Sequence, residues 1–126
     1  MPDHDPTRTD RVAAFMRKAA AEKAAHDEAV DFVERYNAAL ASGHGTPWSP
    51  TIRTAIMAGV PWLDVHCPGC GTSRAIDIRK IDRHPLATVG SLVLGLRCSM
   101  CPGSAPMPVI RGLHAFPPAA RYTSTL

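Results

Sequence analysis

All four cysteines of the 126-residue chain fall into two pairs, Cys67-Pro68-Gly69-Cys70 and Cys98-Ser99-Met100-Cys101. With two residues between its cysteines, a tight turn can present both thiolates to one ion, and two such turns brought together make a closed tetrahedral sulfur site. Gly71 follows the first pair, where the turn needs a residue tolerant of positive φ. Pro102-Gly103 follows the second, so that turn should differ. This donor set, Cys67, Cys70, Cys98 and Cys101, points to one zinc ion. A rubredoxin-like iron site uses the same four sulfurs, and disulfide or dithiol chemistry is the third reading. The third is disfavoured because nothing indicates an oxidising compartment and neither pair opens a helix after a strand. Four sulfurs leave no position open for water, so the metal is expected to be structural rather than catalytic. His66, His84 and His114 lie outside the pairs and read as solvated surface residues.

The elements around the pairs follow from periodicity. Leu63, Val65 and Cys67 alternate with Trp62, Asp64 and His66, which predicts a strand running into the first cysteine. Ile76 and Ile78 alternate with Asp77 and Arg79, which predicts a second strand over 72–79. A helix of about ten residues is expected from Pro85, on the spacing of Leu86, Val89, Val93 and Leu96, with a late strand over 92–98 as the alternative. Residues 107–111 fit a last short strand. Upstream, Ser49-Pro50 reads as an N-cap and first helical position for a short helix over 51–58. Residues 10–41 hold eleven alanines and neither Gly nor Pro, which predicts one helix or two ended by Ser42-Gly43. Val12, Met16, Ala19, Lys23, His26, Val30, Val33, Asn37 and Leu40 recur by four and three; the apolar stripe fails at Lys23 and His26, which argues against a continuous coiled coil and for a solvated helix capping the domain. The expected organisation is a disordered leader (1–9), a helical extension (10–45), a linker with a short helix (46–59), a metal-binding domain (60–115) and a flexible tail (116–126).

With those residues in view, the stretch 60–111 resembles a zinc ribbon. Cys67-Pro-Gly-Cys-Gly71 matches the ribbon knuckle, and Cys98-Ser-Met-Cys-Pro102 lacks the usual trailing glycine by one position. More narrowly, Trp62-Leu-Asp-Val-His-Cys, Ile76-Asp-Ile-Arg and Leu96-Arg-Cys-Ser resemble small uncharacterised zinc-ribbon proteins of rhizobia and related alphaproteobacteria, a likeness covering roughly 48–118. The resemblance implies an α+β fold: a small ribbon of short antiparallel strands with one helix between the knuckles, preceded by the helical extension. It implies no activity, because ribbons serve in transcription, translation and protein docking alike.

Composition bounds the function. Apolar residues make up 45% and aromatics only 6%, with nine glycines and twelve prolines, which describes a thin core with many loops. The longest apolar stretch, 86–96, is far too short to span a bilayer. The acidic start Met-Pro-Asp-His-Asp-Pro is unlike a secretory signal, so a cytoplasmic location is expected. The net charge of +3 is concentrated after residue 60, where Asp64, Asp77 and Asp82 are the only acids. A basic face of Arg74, Arg79, Lys80, Arg83 and Arg97 therefore makes nucleic acid a candidate partner. Against it, no aromatic lies between Leu63 and Ala115 to stack on bases. The alternative is a protein–protein adaptor with purely structural zinc, its contact at the Ala-rich helix or around Trp48 and Trp62. No membrane and no small-molecule substrate are expected. Neither a phosphate loop nor a nucleophile–base arrangement is present, so the chain does not read as an enzyme.

Overall fold

The fold is α+β: a long N-terminal helix laid against a small three-stranded antiparallel sheet. A computed structural model describes residues 6–43, 45–101, 103 and 105–118. Helix α1 spans Pro6–Ala41, α2 spans Ile52–Met57, strand β1 spans Trp62–His66 and β2 spans Ser73–Asp77. The single turn α3 is Val89–Leu92, and β3 is Val109–His114. The sheet order is β2-β1-β3, so the strand that ends at Cys67 is central. Leu63 lies opposite Ile76 on one side and Leu113 on the other, which sets the apolar face. In β3, Asp64 pairs with Gly112 but Val65 with Ile110, and Arg111 is the extra residue of the bulge.

The core draws on the helices and the sheet alike: Val33 and Tyr36 from α1, Ile52 and Ala55 from α2, Leu63 and Val65 from β1, Ile78 after β2, Val89 and Leu92 from α3, and Leu113 from β3, with Ile76 of β2 partly buried against it. Helix α1 is continuous over 36 residues, and from Ala29 onward it belongs to this core. Where the stripe breaks, each polar residue has a use. Lys23 pairs with Asp27 at 2.8 Å on the exposed side, and His26 Nδ1 lies 2.7 Å from the carbonyl of Met57 at the end of α2. Trp48 packs against Phe32 and Tyr36 with ring centroids 5.0 and 5.7 Å away, half-exposed rather than buried. Asn37 is the joint between helix and sheet. Its amide donates to the Leu113 carbonyl at 3.0 Å while its oxygen accepts the Leu113 N–H at 2.9 Å, so one side chain closes the open edge of β3 as another strand would.

Five boundaries differ from the sequence reading, each for a local reason. The second strand, expected over 72–79, spans only Ser73–Asp77, because the Asp77 side chain accepts the Arg79 N–H and caps a 3₁₀ turn over Ile78–Lys80. The long helix starts at Pro6 rather than residue 10, so residues 6–9 of the expected leader are helical; residues 1–5 lie outside the described residues, as does most of the expected tail, 119–126. The cap of α2 is Thr51, whose side chain accepts the Thr54 N–H, while Ser49 Oγ accepts the Gly90 N–H at 3.0 Å. No helix starts at Pro85, because the carbonyls of Pro85 and Ala87 accept the N–H groups of Arg53 and Ile52. That pairing holds 85–87 open; α3 begins only after Thr88, continues as a 3₁₀ turn over Val93–Gly95, and no strand forms over 92–98. The last strand starts at Val109, because Pro106 and Pro108 have no N–H to give a ladder.

Residues 7–24 of α1 are exposed apart from a half-buried Ala13, whereas 29–40 are built into the core. Deleting residues 1–24 should therefore change unfolding free energy by less than about 1 kcal/mol, and deleting 1–41 should abolish cooperative unfolding. Asn37→Ala leaves a part-buried N–H and C=O of Leu113 without partners and should cost about 2 kcal/mol. Urea denaturation followed by circular dichroism measures all three.

Candidate metal centre

The first cysteine turn sits at the tip of the β1–β2 hairpin. The Cys67 N–H donates to the Thr72 carbonyl and the Gly71 N–H to the Cys67 carbonyl, both at 2.8 Å, and Gly71 takes φ +79° to close the turn. Only glycine adopts that backbone without strain. Cys67 is buried as the continuation of the Leu63–Val65 face, and Cys70 is exposed at the hairpin tip. The second turn lies in the connection from α3 to β3. Arg74 of β2 holds it, its Nη2 donating to Ser99 Oγ at 2.7 Å.

These two turns bring the four sulfurs within 4.8 Å of one another. The shortest approaches run between the turns, Cys67 to Cys101 at 3.6 Å and Cys70 to Cys98 at 3.5 Å. A disulfide would place two sulfurs about 2.05 Å apart. Tetrahedral coordination with bonds of about 2.3 Å spaces sulfurs roughly 3.8 Å apart. The four free thiols thus have the spacing of ligands that share an ion, and their donor chemistry fits one. Electrostatics agrees. Hydrogen bonding from the Thr72 hydroxyl and backbone N–H, with Sγ–Oγ1 at 3.1 Å, draws the Cys70 pKa down to about 6. The neighbouring sulfurs, Cys67 first, push the Cys101 pKa up to about 12. Cys70 is thus the readier thiolate and Cys101 the more reluctant one, and a cation among the sulfurs would favour the thiolate form.

No histidine or carboxylate joins the group among the described residues. His66 Nδ1 lies 3.2 Å from Ser73 Oγ, His84 Nδ1 accepts the Leu86 N–H, and His114 Nε2 lies 3.5 Å from Asp64 Oδ2. Asp64, on the strand face opposite Leu63 and Val65, is 1% exposed. The five basic residues divide. Arg74 and Arg97 flank a recess of ≈ 40 Å³ that Cys67 and Cys98 also line. Arg79, Lys80 and Arg83 lie on and after the turn that follows β2, where all three are exposed. Of these, Arg79 grips Asp77 through two bonds of 2.8 and 2.9 Å, which lowers the Asp77 pKa. Sequence reasoning missed Thr72, Ser99 and Gly69, all inside or beside the cysteine pairs.

Compared with known protein families, curated proteins and solved structures, the chain has no match.

Gly69 marks how closely the two turns pack. A Cβ there would lie 3.0 Å from Pro106 Cδ and 3.3 Å from Cys101 Sγ. Gly69→Ala should force the turns apart by a few tenths of an ångström at a cost of about 1 kcal/mol in metal-bound stability. Thermal unfolding of the metal-loaded protein tests this.

Proposed function

We propose that the chain is a zinc-ribbon protein whose zinc is structural, and that it acts by binding a partner rather than by catalysis. The observation that carries this is the closed set of four sulfurs, which supplies a full tetrahedral shell and leaves no room for a reacting water. All-sulfur donors suit zinc or iron; zinc needs no redox partner and is the usual occupant of two such turns. The ribbon reading is supported by the first turn, which is a hairpin knuckle closed by Gly71. The second turn departs from a ribbon in sitting on a long connection instead of a hairpin. Zinc is asked for energetically as well. Tyr36 is the sole aromatic in a core cluster of ten residues, and structural zinc adds roughly 10–16 kcal/mol of apparent binding energy.

For the partner, a protein is the better supported reading. Large apolar side chains stand in solvent on α1, with Phe15 72% exposed and Met16 and Val12 beside it, while the aromatic trio around Trp48 is only partly covered. Nucleic acid remains the second reading, supported by Lys80 and Arg83 on one turn and weakened by the Asp77 clamp on Arg79. Neither reading calls for a membrane or a small-molecule substrate, and a reducing compartment such as the cytoplasm suits four free thiols.

Elemental analysis should give one zinc per chain. Removing it with a strong chelator, or changing Cys67 or Cys98 to Ser, should unfold the sheet; a metal-free protein that melts at the same temperature would refute the proposal. Titration of the zinc-loaded protein with mixed DNA and RNA at two salt concentrations decides the partner class. The protein reading expects no saturable binding at physiological salt. Salt-steep binding lost in the Arg79, Lys80, Arg83 triple Ala variant would establish the second reading instead.

A further inference from the structure

We propose that Arg74 and Arg97 are the counter-charges of the metal centre and set its affinity for a divalent ion. The inference rests on the reading that the four cysteines hold such an ion. Four thiolates around a divalent cation leave a net charge of −2, held partly out of water because Cys67 is buried. Backbone N–H groups and the Thr72 hydroxyl disperse some of it, but a formal charge is best met by a formal charge nearby.

Two are in position. The β1–β2 register sets Arg74 opposite Val65, on the face that leads to Cys67 two residues later. Arg97 directly precedes Cys98, and both arginines line the recess shared with the Cys67 and Cys98 side chains. The rest of that recess is largely apolar, with Ile76, Leu96 and Pro108, which strengthens the attraction between guanidinium and sulfur compared with open water. No carboxylate lines the recess to compete. Of the three acids after residue 60, Asp77 is held by Arg79, Asp64 lies beside His114, and Asp82 is exposed past the turn. Arg74 has a second task, because its bond to Ser99 fixes the second cysteine turn against β2. Arg97 is exposed, so changing it tests charge with little effect on packing.

The test is zinc affinity, measured by competition with a chromophoric chelator. A charge series at Arg97 (Lys, Met, Glu) is compared with Arg74→Lys, Arg74→Met and Ser99→Ala. Each Arg→Met should weaken zinc binding about tenfold or more, the range typical of outer-shell partners, while Arg→Lys stays within about threefold of the parent. Arg97→Glu should be weaker than Arg97→Met, and raising the salt should narrow the whole series. Ser99→Ala should cost less than Arg74→Met, because it removes the tether and keeps the charge. Met and Glu variants with parental affinity would overturn the proposal, as would Lys variants no better than Met. A parent protein that binds no zinc would overturn the metal reading itself, a separate result.

Discussion

Four sulfurs within 4.8 Å of one another are an electrostatic demand that the rest of the molecule is arranged to meet. Apart, each thiol is an unremarkable polar group; together, each thiolate raises the cost of the next by repulsion, and the neighbouring sulfurs push the Cys101 pKa up. A cation between them turns that repulsion into the strongest attraction available to so small a domain. It also joins two parts of the chain with little other reason to meet. Between the first turn and the second, the described contacts are the Arg74–Ser99 bond, the approach of Gly69 to Pro106 and Cys101, and the sulfurs themselves. The connection from α3 to β3 carries proline at 102, 106 and 108 and exposes Met100 and Met107, with Leu96 packed against the core at its start. An ion held by the four sulfurs would add to that packing.

At the opposite side of the sheet the demand is different: β3 is an edge strand, and open edges pair with whatever is near. Asn37 answers it with a single amide that satisfies both polar groups of Leu113. This explains why the helix is part of the domain and not an attachment. Once Asn37 is fixed on β3, the adjacent Tyr36 and, one turn earlier, Val33 fall onto the core, and His26 reaches the end of α2 three turns earlier. The half of α1 before that point has no such tie, and its apolar side chains stand in solvent. The two ends of the small sheet are therefore secured by unlike means, a hydrogen-bonded side chain at one and sulfur ligands at the other.

How much of this a sequence reveals depends on how local each cause is. The Cys-x-x-Cys pairs and the β1 alternation are local, and both the sulfur cluster and the central strand could be read directly. The extent of the helix was legible from its alanines; its docking was not, because Asn37 falls in the periodic row but the row does not tell that its amide bonds a strand 76 residues away. Pro85 looked like a helix start because that is the meaning of proline at a first turn. Tertiary pairing with the 52–53 backbone overrode it. Asp64 shows the same limit: alternation tells which face a residue is on but not whether that face is covered. Thr72 and Ser99, which bond within the site, were invisible for a related reason, since single hydrogen bonds follow no spacing.

The division of the basic residues bears on what the surface can offer a partner. Read as a string, Arg74, Arg79, Lys80, Arg83 and Arg97 form one positive patch. In three dimensions Arg74 and Arg97 line the recess beside Cys67 and Cys98, and Arg79 is bound to Asp77. Under the proposed metal reading, a loaded cluster with a charge of −2 offsets the first two arginines, and Asp77 offsets the third. Lys80 and Arg83 are then the charges of that set left for a polyanion. On that reading metal binding and polyanion binding draw on the same side chains, and the affinity of one bears on the other.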